Sequence, residues 1–250
     1  MSEPLVEVRL EGDVCVLRLC RAEKLNALST ALEQALGAAL DQPAVRDSAC
    51  LVLTGSGRAF SAGADISEFA DRDPEAIASY YRESGGIYER IAALPQPTVS
   101  AIHGYCLGGG LELALATDFR VADETAVFGF PEVAIGILPS SGGTVRAARL
   151  LGPARAKQLI LLGGRLSADE AVAVGLLTEL VPAGGSLDRA LELANGLAAL
   201  PRLAVSIAKQ AIDAAPESSR EAALLIERLA YGLLAQTPAA RSAADDFTRS

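Results

Sequence analysis

The chain has 250 residues, of which 50% are hydrophobic and 21% are charged, and its formal net charge is −9. This length and apolar content suit one large domain, or one domain with a small appendage. The acidic balance and the 4% content of aromatic residues, with no tryptophan, argue against a nucleic-acid backbone or a stacked single strand as the partner.

Two other classes of protein are disfavoured by the sequence. Residues 1–7 lack the basic region and apolar run of a secretory signal, and no uninterrupted apolar stretch reaches the roughly 18 residues of a membrane span. We therefore expect a cytoplasmic protein without a membrane partner. No metal site is expected either, because the single histidine accompanies four cysteines without C-x-x-C spacing. We interpret these cysteines as free thiols in a reducing compartment: Cys15, Cys20, Cys50 and Cys106.

Apolar periodicity predicts alternating strands and helices over most of the chain. Val6, Val8 and Leu10 alternate before a turn at 11–13, which indicates a hairpin with a second strand from Val14. Five leucines at helical spacing predict a helix over residues 25–40. Further strands are predicted at 50–54, 98–102, 119–122 and 126–128, the last two as a pair. This alternation is typical of an α/β layered fold.

The character of the chain changes after about residue 195. Residues 203–214 and 219–234 have the pattern of helices, with no strand pattern between them. The second helix carries a wide apolar stripe. This stripe either packs on the core of the same chain or buries area against another subunit.

Three glycines open an apolar helix that carries a glutamate in its first turn. Gly108, Gly109 and Gly110 precede Leu111 and Glu112. Glycines let the backbone approach a ligand closely, and the free N–H groups of a helix start can hold an anion. A carboxylate on a helix that is otherwise apolar is costly without a partner or a function. The pattern indicates a site that stabilises negative charge and moves a proton or a water, although such glycines also serve as plain connections.

A second glycine-containing segment, 58–66, follows the predicted strand 50–54. The glycine triplet follows the predicted strand 98–102 in the same way. If the two strands are neighbours, both turns lie at one sheet edge, and each offers a backbone N–H to the same oxygen as an oxyanion hole. The alternative is two unrelated turns that use glycine only to change direction.

Glu132 is a lone acid within the apolar segment 128–139. Such surroundings raise the pKa of a carboxyl group and suit it to general acid–base catalysis. The alternative is a surface glutamate that follows the turn residue Pro131.

Taken together, the three segments resemble the enoyl-CoA hydratase/isomerase family, the crotonase superfamily. The similar segments, in order, are 21–28, 59–69, 104–118, 129–144, 163–171 and 175–176. The resemblance implies an α/β fold with two parts. Residues 1–195 would form a crotonase-like spiral of β-β-α repeats with the active site, and residues 196–250 a C-terminal helical trimerisation region.

The resemblance also implies an acyl-CoA thioester substrate, with CoA as part of the substrate and no separate cofactor. A homotrimer, or a hexamer made of two trimers, is implied as well. The family's oxyanion-hole amides fall on Ala64 and Gly109, and its two hydratase glutamates fall on Glu112 and Glu132. Because both glutamates are present, the resemblance favours hydration of a trans-2-enoyl-CoA. Glu132 would deliver a proton to C2, and Glu112 would orient or activate the water.

The resemblance places CoA contacts in two segments and at one C-terminal residue, namely Lys24, Leu25, Ala62, Asp65, Ile66 and Phe247. Lys24 would meet a phosphate, unless it is a solvated surface charge, and Phe247 would cover the adenine. The acyl pocket wall is expected within 68–88, at Tyr80, Tyr81 and Tyr88. We interpret His103 as structural, because no G-x-S-x-G segment offers it a nucleophile.

Three alternatives to a general hydratase stay open. One is double-bond isomerisation, and another is hydration or dehydration of a specialised acyl group, such as carnitinyl-CoA or a branched dicarboxylic acyl-CoA. The third is a non-catalytic relative that binds acyl-CoA or RNA. The acidic charge disfavours RNA, and both retained glutamates disfavour a loss of catalysis.

Overall fold

A computed structural model describes residues 4–68, 75 and 86–249, without the side chains of 245–249. The described strands are β1 Val6–Glu11, β2 Val14–Leu19, β3 Cys50–Gly55, β4 Ala59–Ser61, β5 Thr98–Ile102, β6 Tyr105–Leu107, β7 Phe119–Asp123, β8 Val127–Gly129, β9 Arg165–Ser167 and β10 Glu179–Val181. The helices are α1 Thr30–Leu40, α2 Pro43–Arg46, α3 at 86–92, α4 Gly109–Leu115, α5 Gly143–Leu161, α6 Ala168–Ala173, α7 Ser186–Ala198, α8 Arg202–Ala214, α9 Arg220–Leu234 and α10 Pro238–Arg249.

The strands form two sheets, and the chain passes repeatedly from one to the other. The larger sheet has the order β1-β2-β3-β5-β7-β10, and the smaller has the order β4-β6-β8-β9. Strands β3, β5 and β7 of the larger sheet are each followed by a short strand of the smaller one. Apart from the antiparallel pairs β1–β2 and β8–β9, neighbouring strands are parallel. The result is a spiral of β-β-α repeats.

Both faces of the larger sheet are covered, which explains the continuous apolar runs of its central strands. All six residues of β3 are buried. Helix α7 covers one face through its small residues Ala190 and Ala194, which pack with Val52 and Val99. The opposite face belongs to the main core, which includes residues of α1 and α4. Strands buried on two faces lack the alternation of a half-exposed strand.

The predicted hairpin is confirmed, whereas the predicted helix begins later than residue 25. Strands β1 and β2 pair from Val6 with Leu19 to Glu11 with Val14. Leu25 and Asn26 both have a φ of +53°, which is outside the right-handed helical region. Helix α1 starts at Thr30, where the Ser29 side chain accepts the N–H of Leu32 as an N-cap.

One strand prediction needs correction, and two short strands were missed. Residues 119–122 and 126–128 do form strands, but β7 lies in the larger sheet and β8 in the smaller, so they are not a pair. The three-residue strands β4 and β6 were not predicted at all, because so short a segment has no measurable periodicity. These strands carry the turns of the candidate site.

The C-terminal residues are helical, as predicted. Helices α8 and α9 match the predicted segments, and α10 is an addition. The predicted boundary after residue 195 falls inside α7, which packs on the larger sheet. Lys209 is the buried residue of α8; its Nζ lies 2.9 Å from Asp118 Oδ2 and 3.2 Å from the Gln96 carbonyl oxygen.

Among the described helices, no single one is long and apolar enough to cross a membrane. Segments 186–198 and 202–217 meet the criteria of length and composition only as a pair, with a bend of 107° between them.

Candidate active site

The two glycine turns lie at one edge of the smaller sheet. Strands β4 and β6 pair in parallel, so the segments that follow them start side by side. The N–H of Leu28 donates to Gly63 O at 2.8 Å, and the N–H of Asp65 donates to Leu28 O at 2.9 Å. Because these bonds flank Ala64 in a parallel bridge, the N–H of Ala64 points away from Leu28. It is therefore turned toward the space next to the second turn.

The Ala64 and Gly109 amides are close neighbours. A Cβ atom placed on Gly109 would lie 3.5 Å from Ala64 N, and one placed on Gly63 would lie 3.4 Å from Gly109 N. Gly109 is the first residue of α4, so its N–H has no carbonyl partner within the helix. The structure thus brings together the two amides that the family resemblance implies as an oxyanion hole.

An ion pair fixes the loop that carries Ala64. Arg21 Nη1 donates to Asp65 Oδ2 at 2.7 Å and to Ala27 O at 3.0 Å. Asp65 Oδ1 accepts the hydroxyl of Ser67 at 2.6 Å. The Ser67 hydroxyl and the Arg21 guanidinium hold the pKa of Asp65 below its usual value. Both oxygens of Asp65, which we predicted to contact CoA, are thus engaged in ordering the loop.

Asn26 is a structural residue of the site that sequence reasoning missed. It is fully buried, and its Nδ2 donates to Ser56 O at 2.9 Å and Ala59 O at 2.7 Å. Its Oδ1 accepts the N–H of Arg21 at 2.9 Å. Asparagine tolerates the left-handed backbone found here better than most residues. The side chain ties the 21–26 turn to the start of β4.

The predicted CoA contacts are placed only in part. Leu25 and Ala62 are half-buried and joined by the Ala62 N–H to Leu25 O bond of 2.9 Å. Lys24 is exposed at the end of the short 3-10 turn 22–24, and Ile66 is 61% exposed. The Phe247 side chain lies outside the described part of the chain, as do Tyr80 and Tyr81.

Tyr88, the described residue of the predicted pocket wall, lies against Gly109. It is buried, and its hydroxyl lies 3.4 Å from where a Cβ on Gly109 would stand. The same hydroxyl donates to Glu33 Oε1 at 3.2 Å. His103 is placed elsewhere, with Nε2 3.1 Å from the Gly57 carbonyl oxygen, a contact that suits the structural role we assigned.

Glu112 is buried and firmly held. It is 3% exposed, and its Oε1 accepts the N–H of Ser141 at 2.7 Å and that of Gly143 at 2.8 Å. Burial raises the pKa of Glu112, while these N–H groups and the Arg146 guanidinium oppose the rise. The 141–143 turn was not assigned a role from the sequence, because only folding brings it to α4.

Glu132 is also buried, which excludes the alternative of a surface glutamate. It is 8% exposed and opens the 3-10 turn Glu132–Ile135 after β8. Its Oε2 is buried without a hydrogen-bond partner among the described residues. Burial, with a smaller contribution from the charge of Glu112, raises its pKa to about 7.

Glu132 lies directly over Gly108, the first glycine of the turn that leads into α4. A Cβ on Gly108 would stand 2.8 Å from Glu132 Oε1, so a carboxyl can approach the turn only because that residue is glycine. Glu112, Glu132 and both predicted oxyanion amides thus share one small region. Within the described residues, no group of three His, Cys, Asp or Glu side chains is arranged to hold a metal ion.

Comparison with known proteins identifies the family of the chain. The family model for enoyl-CoA hydratase/isomerase matches residues 9–247. A 2,3-dehydroadipyl-CoA hydratase of Escherichia coli K12 is 39% identical over 238 residues, covering 95% of this chain and 92% of the relative. A short-chain-enoyl-CoA hydratase of Clostridium acetobutylicum is 36% identical over 225 residues, covering 89% of this chain and 86% of the relative.

A solved structure confirms the predicted fold. The crystal structure of an enoyl-CoA hydratase from Bacillus anthracis superposes with a TM-score of 0.92 at 35% sequence identity, covering 98% of this chain and 96% of that chain. The β-β-α spiral, the paired glycine turns and the match along nearly the whole sequence lead to one assignment. The chain belongs to the enoyl-CoA hydratase/isomerase family and is an enzyme of that family.

Proposed function

We propose that this chain adds water across the 2,3 double bond of trans-2-enoyl-CoA thioesters. The observation that carries the proposal is the pair of buried carboxylates beside two adjacent backbone amides. One carboxylate is held by two N–H groups, and the other has a buried oxygen without a partner among the described residues. Hydration needs these components, namely an acid, a base and a site for an oxyanion.

The oxyanion hole would act on the thioester carbonyl. Its oxygen accepts hydrogen bonds from the N–H groups of Ala64 and Gly109. As the water oxygen bonds to C3, the electron pair of the double bond shifts toward the thioester carbonyl oxygen. Each preorganised donor typically lowers such a barrier by about 3 kcal/mol, because it already points at the developing charge.

The two glutamates would divide the proton transfers. Glu112 acts in its carboxylate form: fixed at Oε1, it orients the water and accepts its proton as the O–C3 bond forms. Glu132, protonated near neutral pH, delivers its proton to C2. The product gains one hydrogen and one hydroxyl, and exchange with solvent restores both carboxyl groups. These steps require no cofactor beyond the CoA within the substrate, and the cytoplasmic location stays a prediction.

A homotrimer, or a hexamer of two trimers, completes the proposal. In the structure, α9 has no buried residue, although it carries large apolar side chains that are 40–77% exposed, namely Leu224, Leu225, Ile226, Leu229, Tyr231 and Leu233. A surface of this kind marks a protein interface.

Light scattering of the purified chain should give a mass three or six times that of one chain, and Leu229→Glu should lower the measured mass. A monomer in both would overturn this part.

Loss of the enoyl-thioester absorbance of crotonyl-CoA tests the reaction. The wild type should consume it rapidly, and Glu132→Ala and Glu112→Ala should each abolish the rapid loss. Glu124→Ala, at an exposed turn residue, serves as the matched control and should retain activity. If both active-site variants remained as fast as the control, the assigned roles would be wrong. No loss with the wild type would instead favour isomerisation or a specialised acyl group, and a panel of 3-enoyl, carnitinyl and branched thioesters would follow.

A further inference from the structure

The hydrogen bonds that hold Glu112 come from a short turn with its own support. Ser141 and Gly143, which donate to Glu112 Oε1, flank Gly142 at the entry to α5. Arg146 Nη1 donates to the Ser141 carbonyl oxygen at 2.9 Å, and the Arg146 N–H donates to Gly142 O at 2.8 Å. One arginine therefore contacts the turn on the side opposite to the N–H groups that the carboxylate uses.

The guanidinium packs closely onto this turn. Gly142 has a φ of +95°, and a Cβ placed on it would stand 2.1 Å from Arg146 Nη1. The Arg146 side chain is only 14% exposed, and Nη2 lies 2.5 Å from Glu89 Oε1 on α3. Glu89 itself is 71% exposed, so its ion pair with Arg146 is screened by solvent. The shape of the turn and the position of the guanidinium depend on each other.

Among the described residues, three titratable side chains bear on this carboxylate and its support. Arg146 reaches Glu112 from α5, Glu132 faces it from the turn after β8, and Glu89 faces Arg146 from α3. Arg146 opposes the effect of burial on Glu112, and it is the positive charge among the three. Removing it would raise the pKa of Glu112 further and loosen the turn.

We propose that Arg146 is a positioning residue for hydration: it clamps the 141–143 turn onto Glu112 and supplies the positive charge that this carboxylate faces. The inference rests on the proposed function, because it gives Arg146 an effect only through Glu112. Within the described part of the chain, the hydrogen bonds of Arg146 go to Ser141, Gly142 and Glu89, not to the predicted oxyanion amides or CoA contacts. Loss of Arg146 should therefore impair turnover rather than substrate binding.

The test compares Arg146→Gln with Arg149→Gln, the same change one turn along α5 at a half-exposed arginine that pairs with Glu217. With crotonyl-CoA, Arg146→Gln should lower kcat by about 10- to 100-fold, the scale expected when a catalytic group is misplaced, with KM nearly unchanged. The acid limb of the kcat profile should move to higher pH. Arg146→Lys should recover part of the loss, because it restores the charge. Arg149→Gln should match the wild type.

A double variant separates an effect through Glu112 from a general loss of structure. If Arg146 acts through Glu112, Arg146→Gln should add nothing to Glu112→Gln, because interacting sites are not additive. Equal kcat values for Arg146→Gln and Arg149→Gln, or a full additional loss in the double variant, would overturn the inference. A wild type that fails to hydrate any thioester would instead overturn the proposed function. Melting temperatures of the variants identify any that fail to fold.

Discussion

The turns after β6 and after β8 each bring a glutamate to the same small region, in opposite surroundings. Glu112 stands one turn into α4 and accepts two backbone N–H groups at 2.7 and 2.8 Å. Glu132 opens a 3-10 turn, and its Oε2 is buried without a hydrogen-bond donor in the described structure. Burial raises the pKa of both carboxyl groups. At Glu112, N–H groups of the 140–143 segment and the Arg146 charge oppose the rise, whereas at Glu132, among the described residues, only its own backbone N–H does so.

This difference assigns separate roles to two chemically identical side chains. Burial raises the pKa of Glu112, but the N–H groups of the turn and the Arg146 charge oppose the rise, so the turn favours the carboxylate form that the proposed activation of water needs. Glu132 keeps its proton to about pH 7, so it suits delivery of a proton to carbon at neutral pH. Two carboxyl groups whose surroundings separate their pKa values are a recurring basis for acid–base assignments. The predictions that follow test this contrast.

The largest effect is expected for Glu132→Gln, which retains the shape of the side chain and removes the acid. We expect kcat for crotonyl-CoA to fall by roughly 10³-fold, within the range typical of a general acid–base group. KM should change little, because the amide fits the same space. A steady-state assay measures both constants, and near-normal kcat would remove Glu132 from the chemistry.

Gly108→Ala should have the next largest effect. Its φ of +50° disfavours any side chain, and the added Cβ would stand 2.8 Å from Glu132 Oε1. Displacement of the Glu132 carboxyl group should lower kcat by about 10²-fold, the scale of loss that a small misplacement of a catalytic group causes. Gly196→Ala in α7, where an added Cβ meets nothing within 4 Å, is the matched control. If the two variants behaved alike, the close approach of Glu132 to the turn would be disproved.

The pH profile of kcat/KM should report the protonation of Glu132. Since the acid form delivers the proton, kcat/KM should fall as pH rises through about 7, where its carboxyl ionises. The residual activity of Glu132→Gln should lack this basic limb, because the amide does not titrate. A limb that persists unchanged in the variant must belong to another group.

The smallest effect concerns stability. The folded-state pKa of Glu132 is about 7 against an ordinary 4.5, so the folded state binds the proton more tightly than the unfolded state. The contribution of this group to stability is therefore present at low pH and is lost as pH rises from about 4.5 to about 7. Melting temperatures at one protein concentration should decline less over this window for Glu132→Gln than for Glu124→Gln. Identical slopes would mean that Glu132 has an ordinary pKa.

The sequence pointed to the proposed reacting groups more clearly than to the residues that support them. Glu112 and Glu132 stand out because each is a lone acid among apolar residues. The glycine spacing indicated two turns, and the family resemblance placed the amides on Ala64 and Gly109 within them.

Nothing in the sequence pattern marked Asn26 or Arg146. Asn26 has a left-handed backbone that no periodicity predicts, and Arg146 contacts a turn that reaches Glu112 only after folding. The late start of α1 has a similar origin, because Leu28 is buried in an extended segment although its spacing fits a helix.

Titration of the two carboxyl groups by NMR, with ¹³C-labelled glutamate, tests the central contrast most directly. The signal that disappears in Glu132→Gln should titrate at about pH 7, and the signal that disappears in Glu112→Gln should titrate above the ordinary range of a glutamate, because that side chain is buried. In Glu112→Gln, the Glu132 signal should also move to lower pH, because a neighbouring negative charge is lost. A Glu132 signal that titrates near the ordinary 4.5 would contradict the account.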